Sequence, residues 1–417
     1  MTLKENIIEI GHKAKIAATH LSTVNEEVKK DALKKAANKI KENVKKIIEK
    51  NTIDVDNAIK NNLSSALIDR LTLNTSRVNT IAENIFEIAE LPEPIGKILS
   101  EWERPNGLKI KKVTVPLGVI GMIYESRPNV TADASALGIK SGNAVILRGG
   151  KDSFNSSLEI FNILNDSFNK NNLPKHSIQM IPVLEREAVD EMLKLNNYID
   201  IIIPRGGKNL IEKINKISTI PVIKHLDGIC HLYIDADANL KIAKKIIFNS
   251  KMRRPGICGA AETLLIDEKL SNHLPELLNE LKESKCEIRG DERICSFDKS
   301  FKYAEEKDWD TEYLDKIISV RLVKGVDEAI KHICKHSSHH TESIVTENIS
   351  TCEKFFKKID SAIILQNAST QYADGGEFGF GAEIGISTDK LHVRGPVGAQ
   401  HLTSFKYLVY GNGQVRP

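Results

Sequence analysis

At 417 residues, with 41% hydrophobic and 28% charged residues, the chain has room for roughly two or three domains and the composition of a globular protein. Its 59 basic and 56 acidic residues leave a net charge of only +3, with Lys and Glu interleaved, which excludes a basic stripe for nucleic acid. No apolar run reaches the ~18 residues of a membrane span, the opening Met1-Thr2-Leu3-Lys4-Glu5-Asn6 has no secretory-type apolar core, and the six cysteines form no CxxC pair, so a reduced cytoplasmic setting without a membrane is expected.

Residues 1 to about 90 read as helix. From Val28, apolar residues at Ala32, Ala36, Ile40, Val44 and Ile47 make a one-face stripe, with Lys and Glu opposite, as in a packed helical cover without chemistry. Gly107–Val115 alternates like a strand or hairpin arm. Strands and helices then take turns: a strand over Gly118–Ile123, a helix over Val130–Lys140 closed by Gly142, a strand over Ala144–Leu147, and a helix from Ser153. A strand over Ile199–Ile203, a further helix and Pro221-Val222-Ile223 follow. Such alternation implies a parallel sheet covered on both faces. A second alternating block runs from the His231–Ile234 strand through a helix over Asn239–Phe248 to a strand over Thr263–Ile266. Residues 287–315 give no assignable pattern. Beyond them come a helix over Gly325–Lys335, a strand over Ser361–Leu365, a glycine-rich loop over Gly375–Gly385 and a terminal strand over Phe405–Tyr410. The expected division is 1–230, with an arm at 100–117, then 231–370, then a closing segment and terminal strand at 371–417.

Cys258 is the first candidate for chemistry. Pro255 and Gly256 stop the preceding helix, so the thiol sits on a tight turn, with the guanidinium groups of Arg253 and Arg254 just upstream. A cationic setting favours the nucleophilic thiolate, while a buried structural thiol remains the alternative at this level. Two turns combine paired glycines with cations between a strand and a helix: Arg148-Gly149-Gly150-Lys151 and Arg205-Gly206-Gly207-Lys208. Backbone N–H groups at such helix starts suit phosphate, and two in one parallel-sheet unit suit a dinucleotide. His332, His336 and His340 recur every fourth residue, but no carboxylate or cysteine completes a familiar zinc spacing, so no metal is expected. Phe378–Gly385 reads as a flexible connector or as backbone closing over a ligand.

Several stretches together resemble the gamma-glutamyl phosphate reductases of the aldehyde dehydrogenase superfamily. They are Val115–Gly121 with Tyr124–Asn129, Pro204–Gly207, Lys224–His231, Arg254–Cys258, Ser338–Glu342, and Asp374–Gly379 through Gly395-Pro396. Arg253, Gly259 and Ala260 depart from the residues expected beside the thiol (Gln, Asn and Leu), without removing it. The resemblance implies an α/β fold of aldehyde dehydrogenase type: a parallel-sheet cofactor domain, an α/β catalytic domain and a small β oligomerisation arm. It implies NADPH-dependent reduction of L-glutamyl 5-phosphate to glutamate 5-semialdehyde through a Cys258 thioester, in proline biosynthesis. It implies Cys258, His225 and Ser126 in catalysis, with Ser126 marking the oxyanion side. Arg148, Gly149, Gly150, Lys151, Arg205, Gly206, Gly207 and Glu312 would hold the cofactor, Glu312 at the nicotinamide ribose. Arg127, Arg254, His339, His340 and Arg394 would meet the substrate. A homo-oligomer is implied, with the Gly107–Val115 arm and the Phe405–Tyr410 strand as edges that need partners, and association with glutamate 5-kinase is allowed. Asp152 is expected to cap the helix after Lys151, leaving Arg148 and Lys151 for the 2′-phosphate of NADPH. Two other readings stand beside this one: an aldehyde-oxidising dehydrogenase of the same superfamily, and a non-catalytic interaction protein that keeps the fold.

Overall fold

The helical start breaks into segments where polar residues cap the chain. In a computed structural model, which describes residues 2–416, helices run over Leu3–Leu21, Glu26–Glu42, Val44–Lys60, Ser65–Leu71 and Thr75–Glu90. The Asn25 and Asn74 side chains accept N–H groups of the first turns of their helices, from Glu27 and Arg77. The apolar stripe crosses a break at Asn43, yet Ala32, Ala36, Ile40 and Ile47 are all fully buried.

The chain forms two compact units. The first takes the chain up to Lys224, Gly379–Gly385 and the chain from Val397 onward; the second takes His225–Phe378 and Ile386–Pro396. In the first unit a parallel sheet has the order Ile178–Met180, Ala144–Gly149, Val119–Tyr124, Ile201–Arg205. The expected strand at Pro221–Ile223 contributes only a single bridge, Val222 to Ile202. The helix Asn129–Lys140 ends where Gly142 takes φ +71°, which an L side chain would resist. Ile7, Ala14 and Ala17 of the first helix pack with Val119, Ile123 and Ile146 of the sheet.

The first unit also carries an antiparallel sheet of Ile98–Glu103, Lys109–Pro116 and Thr403–Tyr410. Lys109–Pro116 is its middle strand, so the expectation of an unpaired edge there is corrected. The terminal strand pairs with it inside the same chain, from Thr403 opposite Pro116 to Tyr410 opposite Lys109. Ile98–Glu103 and Thr403–Tyr410 are the edges.

The second unit is built on a seven-stranded parallel sheet in the order Lys302–Tyr303, Glu287–Gly290, Ile317–Val323, Ala261–Asp267, Cys230–Ile234, Thr341–Val345, Ile363–Gln366. Alternate residues feed two cores. Leu232, Ile234, Leu264 and Ile266 pack against the helices Leu240–Met252 and Leu274–Glu283. Tyr233, Leu265 and Ile344 pack with Ile330, Ile333 and Phe355 on the other face. The stretch 287–315 contributes two short strands, the helix Glu292–Phe297 and a 3-10 turn at Glu306–Asp310.

Candidate active site

Parallel strands all begin at the same edge of a sheet, so the residues that lead into neighbouring strands are brought together there. In the second unit, Ile317–Val323, Ala261–Asp267, Cys230–Ile234 and Thr341–Val345 are successive neighbours. The segments leading into them carry Glu312, Cys258, His225 with Gly228, and His340. The helix Leu240–Met252 ends ahead of Pro255, and the Ala260 N–H donates to the Ile257 carbonyl at 3.0 Å, closing a turn that presents Cys258.

The thiol of Cys258 and one ring nitrogen each of His225 and His340 lie within 4.8 Å of one another. The two rings meet edge to face at 5.5 Å. His225 Nδ1 lies 2.9 Å from the Ile386 carbonyl, which can only accept, so Nδ1 carries a proton. His340 Nδ1 lies 2.9 Å from Thr341 Oγ1, and its buried Nε2 has no hydrogen-bond partner among the described residues. The Cys230 thiol donates to the Cys258 carbonyl at 3.1 Å and sits 3.6 Å from His340 Nδ1. Gly228 must be glycine, because a Cβ there would collide with the Cys258 backbone; its N–H donates to Glu312 Oε1 at 2.9 Å.

These neighbours set two adjacent thiols apart. Burial pushes the Cys258 thiol up, but the charge and hydrogen bonding of His340 and His225 outweigh it and hold the thiol well below its ordinary range. Cys230 is fully buried, and burial, reinforced by the charges of Glu342, Cys258, Glu262 and Glu312, pushes it well above. One sulfur therefore favours the thiolate and the other the neutral thiol. Because the folded pKa of Cys258 is depressed, its thiolate persists below the ordinary thiol range and is lost only as pH falls through the shifted value. Alkylation of Cys258 by iodoacetamide is thus expected to stay fast at pH values where an ordinary thiol has become unreactive. His340→Ala and His225→Ala should each move the midpoint upward; unchanged midpoints in both variants would show that the imidazoles are not the cause.

The aldehyde dehydrogenase family profile matches residues 2–292. A gamma-glutamyl phosphate reductase of Brucella suis is 56% identical over 410 residues, spanning 98% of this chain and 97% of the relative. The chain belongs to the gamma-glutamyl phosphate reductases of the aldehyde dehydrogenase family. The crystal structure of the gamma-glutamyl phosphate reductase of Thermotoga maritima superposes with a TM-score of 0.96 at 43% identity, covering 99% of this chain and all of that one. An acetylating aldehyde dehydrogenase of Geobacillus thermoglucosidasius, 18% identical with a TM-score of 0.72 over the whole of this chain and 98% of its own, shares the fold alone.

Membership makes this chain an oxidoreductase with a nicotinamide cofactor, and the first unit has features that fit one. Gly207 opens the helix Lys208–Ile217, and a Cβ there would meet nothing within 4 Å, so the backbone at that helix start is open to a phosphate. Gly206 abuts Glu125, whose Oε2 accepts the Gly207 N–H at 3.2 Å, and Arg205 lies half-buried beneath Gly385. At the other turn the Gly150 N–H donates to the Tyr124 carbonyl at 2.7 Å, Gly149 lies against the Tyr124 ring, and Lys151 is exposed. Arg148 differs from the expectation of a displayed cation: it is only 6% exposed, and its guanidinium donates to the carbonyls of Gly149, Leu184 and Glu185. Asp152 does not cap the following helix; its carboxylate accepts the Ser126 hydroxyl. Ser126 is held there at φ +48°.

The remaining predicted residues divide sharply. His340 joins the thiol, whereas His339 is exposed and its Nδ1 meets the Asp360 carbonyl at 2.8 Å. Arg394 donates to the same residue, to Oδ1 at 2.6 Å and to the carbonyl at 2.8 Å. Arg253 and Arg254, the cations nearest in sequence, are exposed, and the groups that lower the thiol are the two imidazoles instead. Arg127 is half-buried in the first unit. His332 and His336 do not converge with His340: their rings lie 4.6 Å apart beside Trp309, and His336 Nδ1 reaches Asp310 at 2.8 Å. Sequence reasoning missed Cys230, Gly228 and Thr341. It also missed the buried pair of Lys251 and Glu262 at 2.5 Å, in which burial still raises Glu262 to about 8. Gly228, Cys230 and Thr341 fall within matching stretches, which offered a signal; Lys251 and Glu262 lie outside them.

Proposed function

We propose that this enzyme reduces L-glutamyl 5-phosphate to glutamate 5-semialdehyde with release of phosphate, and that NADPH is its cofactor. The observation that carries the reading is the depressed thiol of Cys258 between His225 and His340. Cys258 attacks the acyl carbon as a thiolate, the carbon–oxygen bond to phosphate breaks, and phosphate leaves with the bonding pair. The thiol proton, held on the imidazole pair, passes to the departing phosphate, so that no trianion has to be expelled. The Cys258 N–H donates to the oxyanion, and Arg254 offers positive charge to the phosphate. NADPH, when bound, supplies the hydride that reduces the thioester carbonyl. Cys258 then departs as a thiolate, a better leaving group for its lowered pKa. Ser126, His339 and Arg394 act in support, since their polar groups already hold Asp152 and Asp360. In this reading the first unit takes the dinucleotide and the second carries the covalent step. Six free thiols suit a reducing cytoplasm.

The direct test is NADPH oxidation by the purified protein with glutamyl phosphate generated in situ from glutamate and ATP. Oxidation that depends on both supports the assignment; oxidation with an acyl-coenzyme A thioester in place of the acyl phosphate would replace it. For the cofactor, Lys151 rather than Arg148 is the informative position, because Arg148 braces its loop. Lys151→Ala should raise the KM for NADPH by roughly tenfold, as for one lost charge-assisted contact, and leave that for NADH nearly unchanged. Equal changes would argue against a 2′-phosphate contact.

A homo-oligomer completes the reading. Phe405, Tyr407 and Val409 recur on alternate positions of an edge strand and are 45%, 54% and 55% exposed. Such a row on an open edge calls for a partner. Light scattering at micromolar protein is expected to give a multiple of the chain mass; a monomer would overturn this part.

A further inference from the structure

We infer that His225, Cys258 and His340 form a zinc-binding site that reversibly blocks the nucleophile. The three donor atoms come from separate segments and lie within 4.8 Å of one another. A tetrahedral Zn²⁺ with Zn–S near 2.3 Å and Zn–N near 2.0–2.1 Å sets its donors about 3.3–3.6 Å apart, so side-chain rotations that draw the donors in by about 1 Å suffice. One thiolate with two imidazoles is a donor set that prefers Zn²⁺ over Mg²⁺ or Ca²⁺, which seek oxygen.

The surroundings match what a metal-bound histidine requires. A ligating imidazole needs a lone pair on one nitrogen and a hydrogen bond from the other to fix its tautomer. The Ile386 carbonyl fixes His225 with Nδ1 protonated, which leaves Nε2 as the nitrogen that can ligate. Thr341 Oγ1 at 2.9 Å can hold His340 in the same tautomer, and His340 Nε2 is buried without a partner among the described residues. Thr341 itself is fully buried. His225 and Cys258 are only partly buried, so an ion can enter and its fourth position can stay open to water or an anion. Three protein ligands and an open position describe an exchangeable site rather than a closed structural one. Bound zinc ties up the Cys258 lone pair needed for attack, so zinc and acyl donor exclude each other whichever acyl donor the enzyme uses.

The test uses the metal-free full-length protein and Co²⁺ as a spectroscopic substitute. One equivalent of Co²⁺ should give a thiolate-to-cobalt charge-transfer band in the near ultraviolet and tetrahedral bands in the visible, all displaced by Zn²⁺. Both sets should vanish in Cys258→Ala. Zn²⁺ should slow alkylation of Cys258 by iodoacetamide at least about tenfold, with EDTA restoring it, and Mg²⁺ should do nothing. His340→Ala should weaken zinc binding by at least about tenfold, and Thr341→Val, which removes only the supporting hydroxyl, by about tenfold. Zinc should inhibit NADPH oxidation competitively with the acyl donor. The site is refuted if cobalt binds without the thiolate band, or if zinc affinity is undiminished in both Cys258→Ala and His340→Ala. The spectra need no substrate, so they stand or fall apart from the assignment of glutamyl phosphate.

Discussion

Cys258→Ala is expected to fold with an unchanged melting temperature and to lose NADPH oxidation by at least about three orders of magnitude, the scale on which a covalent nucleophile is removed. The side chain is partly exposed on a turn, so stability should not confound the result. Cys230→Ala is the control. It deletes a neighbouring thiol that donates to the Cys258 carbonyl but is itself pushed well above the range in which it ionises. Its loss should cost activity within about tenfold, the worth of one hydrogen bond that positions the turn. If Cys258→Ala kept a tenth of the activity, no thioester on this residue could lie on the reaction path.

The contrast between these thiols shows what was legible in the chain and what was not. Cys258 announces itself because Pro255 and Gly256 act locally: they end a helix and force a turn, whatever the rest of the molecule does. The alternation of strands and helices is equally local, and it gave the parallel sheets. The partners of Cys258 are not local. His225 and His340 meet it because Ala261–Asp267, Cys230–Ile234 and Thr341–Val345 are neighbours, and strand order in a parallel sheet leaves no trace in periodicity. Proximity in sequence therefore pointed to Arg253 and Arg254, which are exposed. Arg148 failed in the opposite sense. Its place after a strand suggested display, but the turn folds it under Leu184 and Glu185, and a side chain's direction out of a glycine turn cannot be read from composition. The strands Glu287–Gly290 and Lys302–Tyr303 escaped because elements that short carry too few residues to show a period. At the terminal strand the alternation was visible, while its partner within the chain was not.

Reverse turnover should depend on phosphate. NADP-dependent oxidation of glutamate 5-semialdehyde is expected to be negligible in phosphate-free buffer and measurable when phosphate or arsenate is added. The reason lies in what stands beside the thioester. Aldehyde-oxidising relatives resolve theirs with water activated by a glutamate in a Glu-Leu-Gly-Gly turn, and the matching stretch here is His225-Leu226-Asp227-Gly228. In place of a carboxylate there is an imidazole whose Nδ1–H is fixed on the Ile386 carbonyl and which lies beside a second imidazole and the thiol. Such a group answers to the sulfur first. In the proposed mechanism it ionises the thiol and hands its proton to phosphate, whereas a carboxylate at that position would serve to activate water. The Glu312 carboxylate accepts the Gly228 N–H at 2.9 Å through Oε1, which ties that oxygen to the turn. His225→Glu should therefore act in two ways at once. It should remove a group that holds the thiolate, slowing acylation, and it should increase hydrolysis of the acyl group that does form. The second effect would appear as phosphate-independent oxidation absent from the unmodified enzyme, and as glutamate released without aldehyde in the forward direction. Brisk oxidation by the unmodified enzyme without phosphate would mean that water reaches its thioester as readily as phosphate does. The chain would then work as an aldehyde-oxidising dehydrogenase despite its imidazole pair.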